Sequence, residues 1–135
     1  MNGVSVVGEL LNSYSPLTAV VPATRIKAGA LPEGTALPAV AVTSISAGDL
    51  NMLSTGVKRR VNERVHVTVL AGSYRTRDDV LRLVRMACAD KRGNFAGVTE
   101  VSVLTDGVGP DFQSDDSNIW MQTQTLSVSF NELTA

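Results

Sequence analysis

The sequence predicts an α+β fold: an antiparallel, or mixed, β-sheet with two helices packed on one face, in a single domain spanning residues 1–135. The first observation behind this is a strand signal in RVNERVHVTVLA. Val61, Val65, Val67 and Val69 alternate with Arg60, Asn62, Arg64, His66 and Thr68, the pattern of a half-buried antiparallel strand. The second follows at once: in TRDDVLRLVRMACAD, Val80, Leu83, Val84, Ala87 and Cys88 repeat at helical spacing. The third is a set of further extended segments at 39–46, 98–104 and 119–131, which supply partners for the strand. A strand that buries one face and a helix that buries one stripe cover each other.

Taken in order, the chain begins with VSVVGELLNSYSPL. Val6, Val7, Leu10, Leu11 and Tyr14 make an amphipathic helix that ends ahead of Pro16, since the residue before proline is biased away from helix. Arg25–Lys27 reads as a short extended piece, and LPEGTALP as a loop punctuated by proline and glycine. Ala39–Ser46, β-branched and small on both faces, is expected to be a central strand covered on both sides. The loop near 48–58 lacks a clean period yet carries Leu50, Met52 and Leu53. It reads either as a surface loop or as a hairpin arm whose large apolar groups meet a partner.

In the strand at Arg60, Glu63 interrupts the apolar face near an outer end, where water remains within reach. Thr76 is the expected N-cap of the helix, with Asp78 and Asp79 in its first turn, favoured by the helix dipole. KRGNFAG reads as a turn and Val98–Leu104 as an extended segment. The polar stretch near 106–118 reads as a loop or second arm. In the last strand Ile119 and Met121 have one parity, whereas Leu126, Val128 and Phe130 have the other. That calls for a bulge or for cover on both sides.

Composition narrows the function. At 135 residues the chain is long enough for a real core, and a net charge of −1 provides no bulk attraction to nucleic acid or anionic membrane. Aromatic residues make up 4% of the chain, which argues against a base-stacking single-strand binder. No apolar run approaches the roughly 20 residues that span a bilayer, and no signal-peptide pattern opens the chain, so a soluble protein made inside the cell is expected. The single cysteine, Cys88, lies on the apolar stripe and is expected to be buried and inert.

No catalytic constellation is visible, and no enzyme activity or cofactor is expected. His66 has no nucleophile or orienting partner in the pattern, and one His with one Cys makes no zinc set. Asp111, Asp115 and Asp116 lack the spacing of a calcium loop, and Gly107 and Gly109 do not open a helix after a strand. The basic cluster Lys58, Arg59, Arg60 and Arg64 suits a solvated strand end, a subunit contact or a phosphate. Arg75, Arg77, Arg82, Arg85, Lys91 and Arg92 read as a solvated helix face. The residues therefore point to a binding or structural module.

The order of signals resembles the small tail-completion, or tail-terminator, proteins of long-tailed bacteriophages. It is carried by VGELLNSYSPLTAVV leading into RIKAG, by LPEGTALPAVAVTSIS, by RRVNERVHVTVLAGSYRTRDDVLRLVRMACAD and by IWMQTQTLSVSFNE. These are patterns of residue class covering nearly the whole chain. The resemblance implies a ring-forming subunit: a homohexamer that caps the tail tube, halts its polymerisation and docks the head-tail connector protein. It implies a place in the virion tail after assembly in the host cytoplasm, tail tube protein as a partner, and genome DNA passing through the lumen unread. It offers no catalytic residues. It makes Leu50, Met52, Leu53, Lys58, Arg59, Arg60 and Arg64 candidate subunit or tube contacts. A neck adaptor or stopper is the alternative role in the same assembly, and a small nucleic-acid-binding domain the alternative outside it. One departure is Pro38–Ala39, where the family often has proline followed by a large aromatic, and it implies a different cover of the sheet there.

Overall fold

The structure, a computed structural model, describes residues 2–29, 36–49, 58–109, 112–113 and 119–133. Its longest ladder joins β3 (Lys58–Ala71) to β7 (Trp120–Leu133), antiparallel and in unbroken register from Lys58 opposite Leu133 to Ala71 opposite Trp120. Around this pair, β1 (Ile26–Ala28), β2 (Ala39–Asp49), β4 (Lys91–Phe95) and β5 (Val98–Val108) complete the order β1-β2-β3-β7-β5-β4. The two-residue β6 (Phe112–Gln113) pairs with the start of β7. Among the described residues only β1–β2 is parallel, so the sheet is mixed.

The α+β expectation holds. Helices α1 (Asn2–Ser13), α2 (Ser15–Thr18) and α3 (Tyr74–Cys88) share one core with the sheet. Val6, Val7, Leu10 and Leu11 of α1 are buried, as the spacing predicts, against Val40, Val42, Val65, Val67, Val128 and Phe130. Leu17 of α2 and Val21 join the same core.

Several expectations are corrected. The stripe of α3 runs through Arg77, Val80, Leu81, Val84, Ala87 and Cys88, with Leu83 only half-buried beside it. The helix starts earlier than Thr76. Ser73 is the N-cap, its Oγ accepting the Thr76 N–H at 3.2 Å, which leaves Asp78 and Asp79 beyond the first turn. Arg77 is not on a solvated face. It is fully buried, with its guanidinium 4.3 Å from the centre of the Tyr74 ring and bonded to Asp78 at 2.6 Å. Lys91 and Arg92 belong to β4, not to the helix.

KRGNFAG is not a simple turn. Its first five residues form β4, and only Ala96 and Gly97 turn the chain, at φ 51° and 77°. A bulge between Gly93 and Phe95 had obscured the strand alternation. β2 is covered only along its first part, since Ala39, Val40 and Val42 are buried while Ser44–Gly48 are exposed. The physical reason is position: β1 pairs with Val40–Val42, and beyond that β2 is the margin of the sheet among the described residues. The stretch 106–118 is partly ladder, because β5 continues to Val108 and β6 adds to β7. β7 needs no bulge against β3. Its parity change arises because Gln124 occupies an inward position together with Leu126, Val128 and Phe130.

Candidate functional site

With the helices on one side, the other face of the sheet carries the polar half of each strand's alternation. Its rows follow from register: Thr43, His66 and Thr125 lie opposite one another, as do Ser46, Arg64 and Ser127. Thr68 and Thr123 share a hydrogen bond at 3.0 Å, and the Asn62 amide donates to Ser127 and Ser129, each at 2.9 Å. This face is a carpet of hydroxyl and amide groups, tied together by cross-strand bonds.

The basic cluster divides along it. Arg60 donates to the Glu100 carbonyl at 2.5 Å and to Asn131 Oδ1 at 3.1 Å. Asn131 in turn donates to the Glu100 carboxylate at 2.5 Å, and the Glu100 N–H donates to Asn94 Oδ1 at 3.1 Å. These bonds hold Glu100 at a φ of 54°, inside the bulge between Thr99 and Ser102. Arg64 pairs with Asp106, both half-exposed. Lys58 and Arg59 open β3 opposite Leu133 and Glu132, and only their backbone is described. Leu50, Met52 and Leu53 lie outside the described residues. β2 and β3 run as a hairpin toward that segment, their last pair being Asp49 with Val61.

Sequence reasoning missed three polar groups that position these surfaces. Glu63, expected within reach of water, is fully buried under the start of α1 and accepts the Gly3 N–H at 3.0 Å. Gln124 is buried and satisfied: Arg85 donates to its Oε1 at 3.0 Å, and its Nε2 donates to the carbonyls of Gly107 and Thr125. Glu100 anchors Arg60 from a strand that pairs with neither β3 nor its helix. Only an inward-parity polar residue in an apolar strand marks Glu63 and Gln124 in the sequence, and nothing local marks Glu100.

Cys88 is buried, and burial pushes its thiol up to about 12, with Lys91 pulling weakly the other way. Such a thiol is a packing group, as the stripe predicts. Among the described residues, no three His, Cys, Asp or Glu side chains converge on a possible metal position. Among the same residues, no helix is long and apolar enough to cross a membrane.

No protein-family model and no curated protein matches the sequence. Solved structures do match its fold. A chain from the virion of a native gene transfer agent particle superimposes with a TM-score of 0.75 at 12% identity, covering 94% of this chain and 92% of that one. A second solved chain matches with a TM-score of 0.52 at 13% identity, over 88% of this chain and 87% of the other. At these identities the shared property is the fold.

Proposed function

We propose that this chain is a structural virion protein without enzymatic activity: a tail terminator whose homohexameric ring caps the tail tube, stops its growth and presents the docking face for the head connector. The observation that carries this reading is the likeness, over nearly the full length of both chains, to a component of a gene transfer agent virion. The order of sequence signals supports the finer assignment to the terminator.

The arrangement of charge favours assembly over nucleic-acid binding. Phosphate binding draws on free cations, and here Arg60 and Arg64 are engaged by Glu100, Asn131 and Asp106 of the same chain. The DNA in this reading passes through the ring without being gripped.

The test is tube capping. Tail-tube protein polymerised with increasing amounts of this chain is imaged by electron microscopy. A terminator shortens the tubes in proportion to its concentration and appears as a ring at one end. Tubes of unchanged length, with this chain bound instead to isolated portal or connector rings, would move the assignment to a neck adaptor.

A further inference from the structure

The registers show that the two margins of the sheet are stepped in opposite senses. Through Val42, one row crosses β1 to β5: Ala28, Val42, Val67, Gln124 and Val108. Through Ala47, another crosses β2 to β4: Ala47, Glu63, Val128, Val103 and Lys91. Both rows are five strands wide, but the second is displaced by one whole strand. Among the described residues, β1 therefore projects on one margin, and β2 is bare beyond it from Thr43 to Asp49. On the other margin, among the same residues, β4 projects and β5 is bare beyond it from Leu104 to Val108.

Each projection matches the opposite recess. If one copy is displaced along the strands by about two to three residues, roughly 7–10 Å at 3.3 Å per residue, its β4 lies beside the bare part of a neighbour's β2. The same displacement puts its bare β5 beside the neighbour's β1. The strand directions allow both contacts, β4 running parallel to β2 and β5 antiparallel to β1.

The chemistry of the margins agrees. An unpaired strand edge offers rows of N–H and C=O groups, and a protein that works alone covers or charges it. Here Ser44–Gly48 are exposed, Ile45 at 52%, and the bare part of β5 exposes Leu104 at 47% and Val108 at 38%.

Resting on the ring reading above, we infer that the partner at both margins is a second copy of this chain. The stepped edge of one sheet receives the oppositely stepped edge of the next, so that the sheet continues from subunit to subunit. The contact is heterologous, using two different surfaces, which is the geometry that closes into rings. A self-complementary β2–β2 contact would end at a dimer and leave the β5 margin bare.

Hydrogen exchange on the unmodified chain, alone and in the ring it forms with tail tubes, tests this directly. Backbone amides in Thr43–Asp49 and Leu104–Val108 are expected to exchange freely in the single subunit and to become protected in the ring. The variants I45K and L104K, which place a lysine on each bare edge, are expected to keep the parent's thermal midpoint and to lose the ring. If rings form and both segments still exchange freely, the edge contact is overturned while the ring reading stands. If no ring forms under any condition, the ring reading itself fails and the edge contact falls with it.

Discussion

Gly3 and Glu63, sixty positions apart, meet where helix α1 begins: the Gly3 N–H donates to Glu63 Oε1 at 3.0 Å, in a site closed to water. The carboxylate lies at the positive end of the helix, where free N–H groups favour an anion. The approach is so close that a Cβ on residue 3 would stand 2.7 Å from Oε1 and 2.8 Å from the carboxyl carbon. Glycine is required there for space. This contact fixes the helix that covers β1 and β2, and hence the bare margin beyond it.

Gly3→Ala is therefore expected to cost about 1–3 kcal/mol, the loss of a hydrogen bond to a buried group plus its displacement. Alanine normally gains about 1 kcal/mol over glycine in a helix. In a Glu63→Ala background, where the obstruction is gone, Gly3→Ala should be neutral or stabilising. A double-mutant cycle by urea unfolding checks the reversal of sign, and equal costs in both backgrounds would contradict it.

At the β4–β5 turn, Ala96 is held at a φ of 51° beside Gly97 at 77°. A left-handed conformation costs a residue with a Cβ roughly 1–2 kcal/mol, and asparagine carries it best in a two-residue hairpin. Ala96→Asn is expected to stabilise the protein by about 0.5–1 kcal/mol. The unfolding midpoint in denaturant reads this, and no gain would show that the turn is set by other contacts.

The Cys88 thiol is raised by burial from 9.0 to about 12. In that interval the folded chain holds a proton that the unfolded chain releases, so stability falls as pH rises from about 9 toward 12. Below pH 9 this contribution is fully present. Cys88→Ala should remove that part of the alkaline slope, and native Cys88 should resist thiol reagents at neutral pH until the chain unfolds.

Arg64 and Asp106 are both half-exposed, so breaking their pair with Asp106→Asn should change stability by less than about 1 kcal/mol. Arg60 differs because it holds Glu100 and Asn131. Charge reversal of Arg59 and Arg60 together should weaken subunit association. Unchanged oligomer mass in that double variant would remove them from the contact.

Much of this architecture was legible in the residues. The valine alternation of β3 and the stripes of α1 and α3 record burial on one side, and those elements stand where the periods put them. Bulges defeated the reading elsewhere. β4 and the end of β5 contain shifts at Gly93 and Thr105 that scramble a period of two, so ladder looked like loop. Buried polar residues were the other blind spot. Glu63 and Gln124 sit inside because Gly3 and Arg85, far away in the sequence, meet them there, whereas Arg77 is met by its helix neighbours Tyr74 and Asp78. The basic cluster was visible as charge, but its pairing with Glu100 and Asp106 depends on the strand order β3-β7-β5.

In the proposed assembly this chain closes into a ring on a tail tube. Light-scattering mass, measured across a concentration series with and without purified tail-tube protein, tests it most directly. A species of six subunits is expected, either in the chain alone or on addition of tubes, with tube ends capped at the same ratio. A single-subunit mass throughout, with tubes that keep growing in its presence, would contradict it.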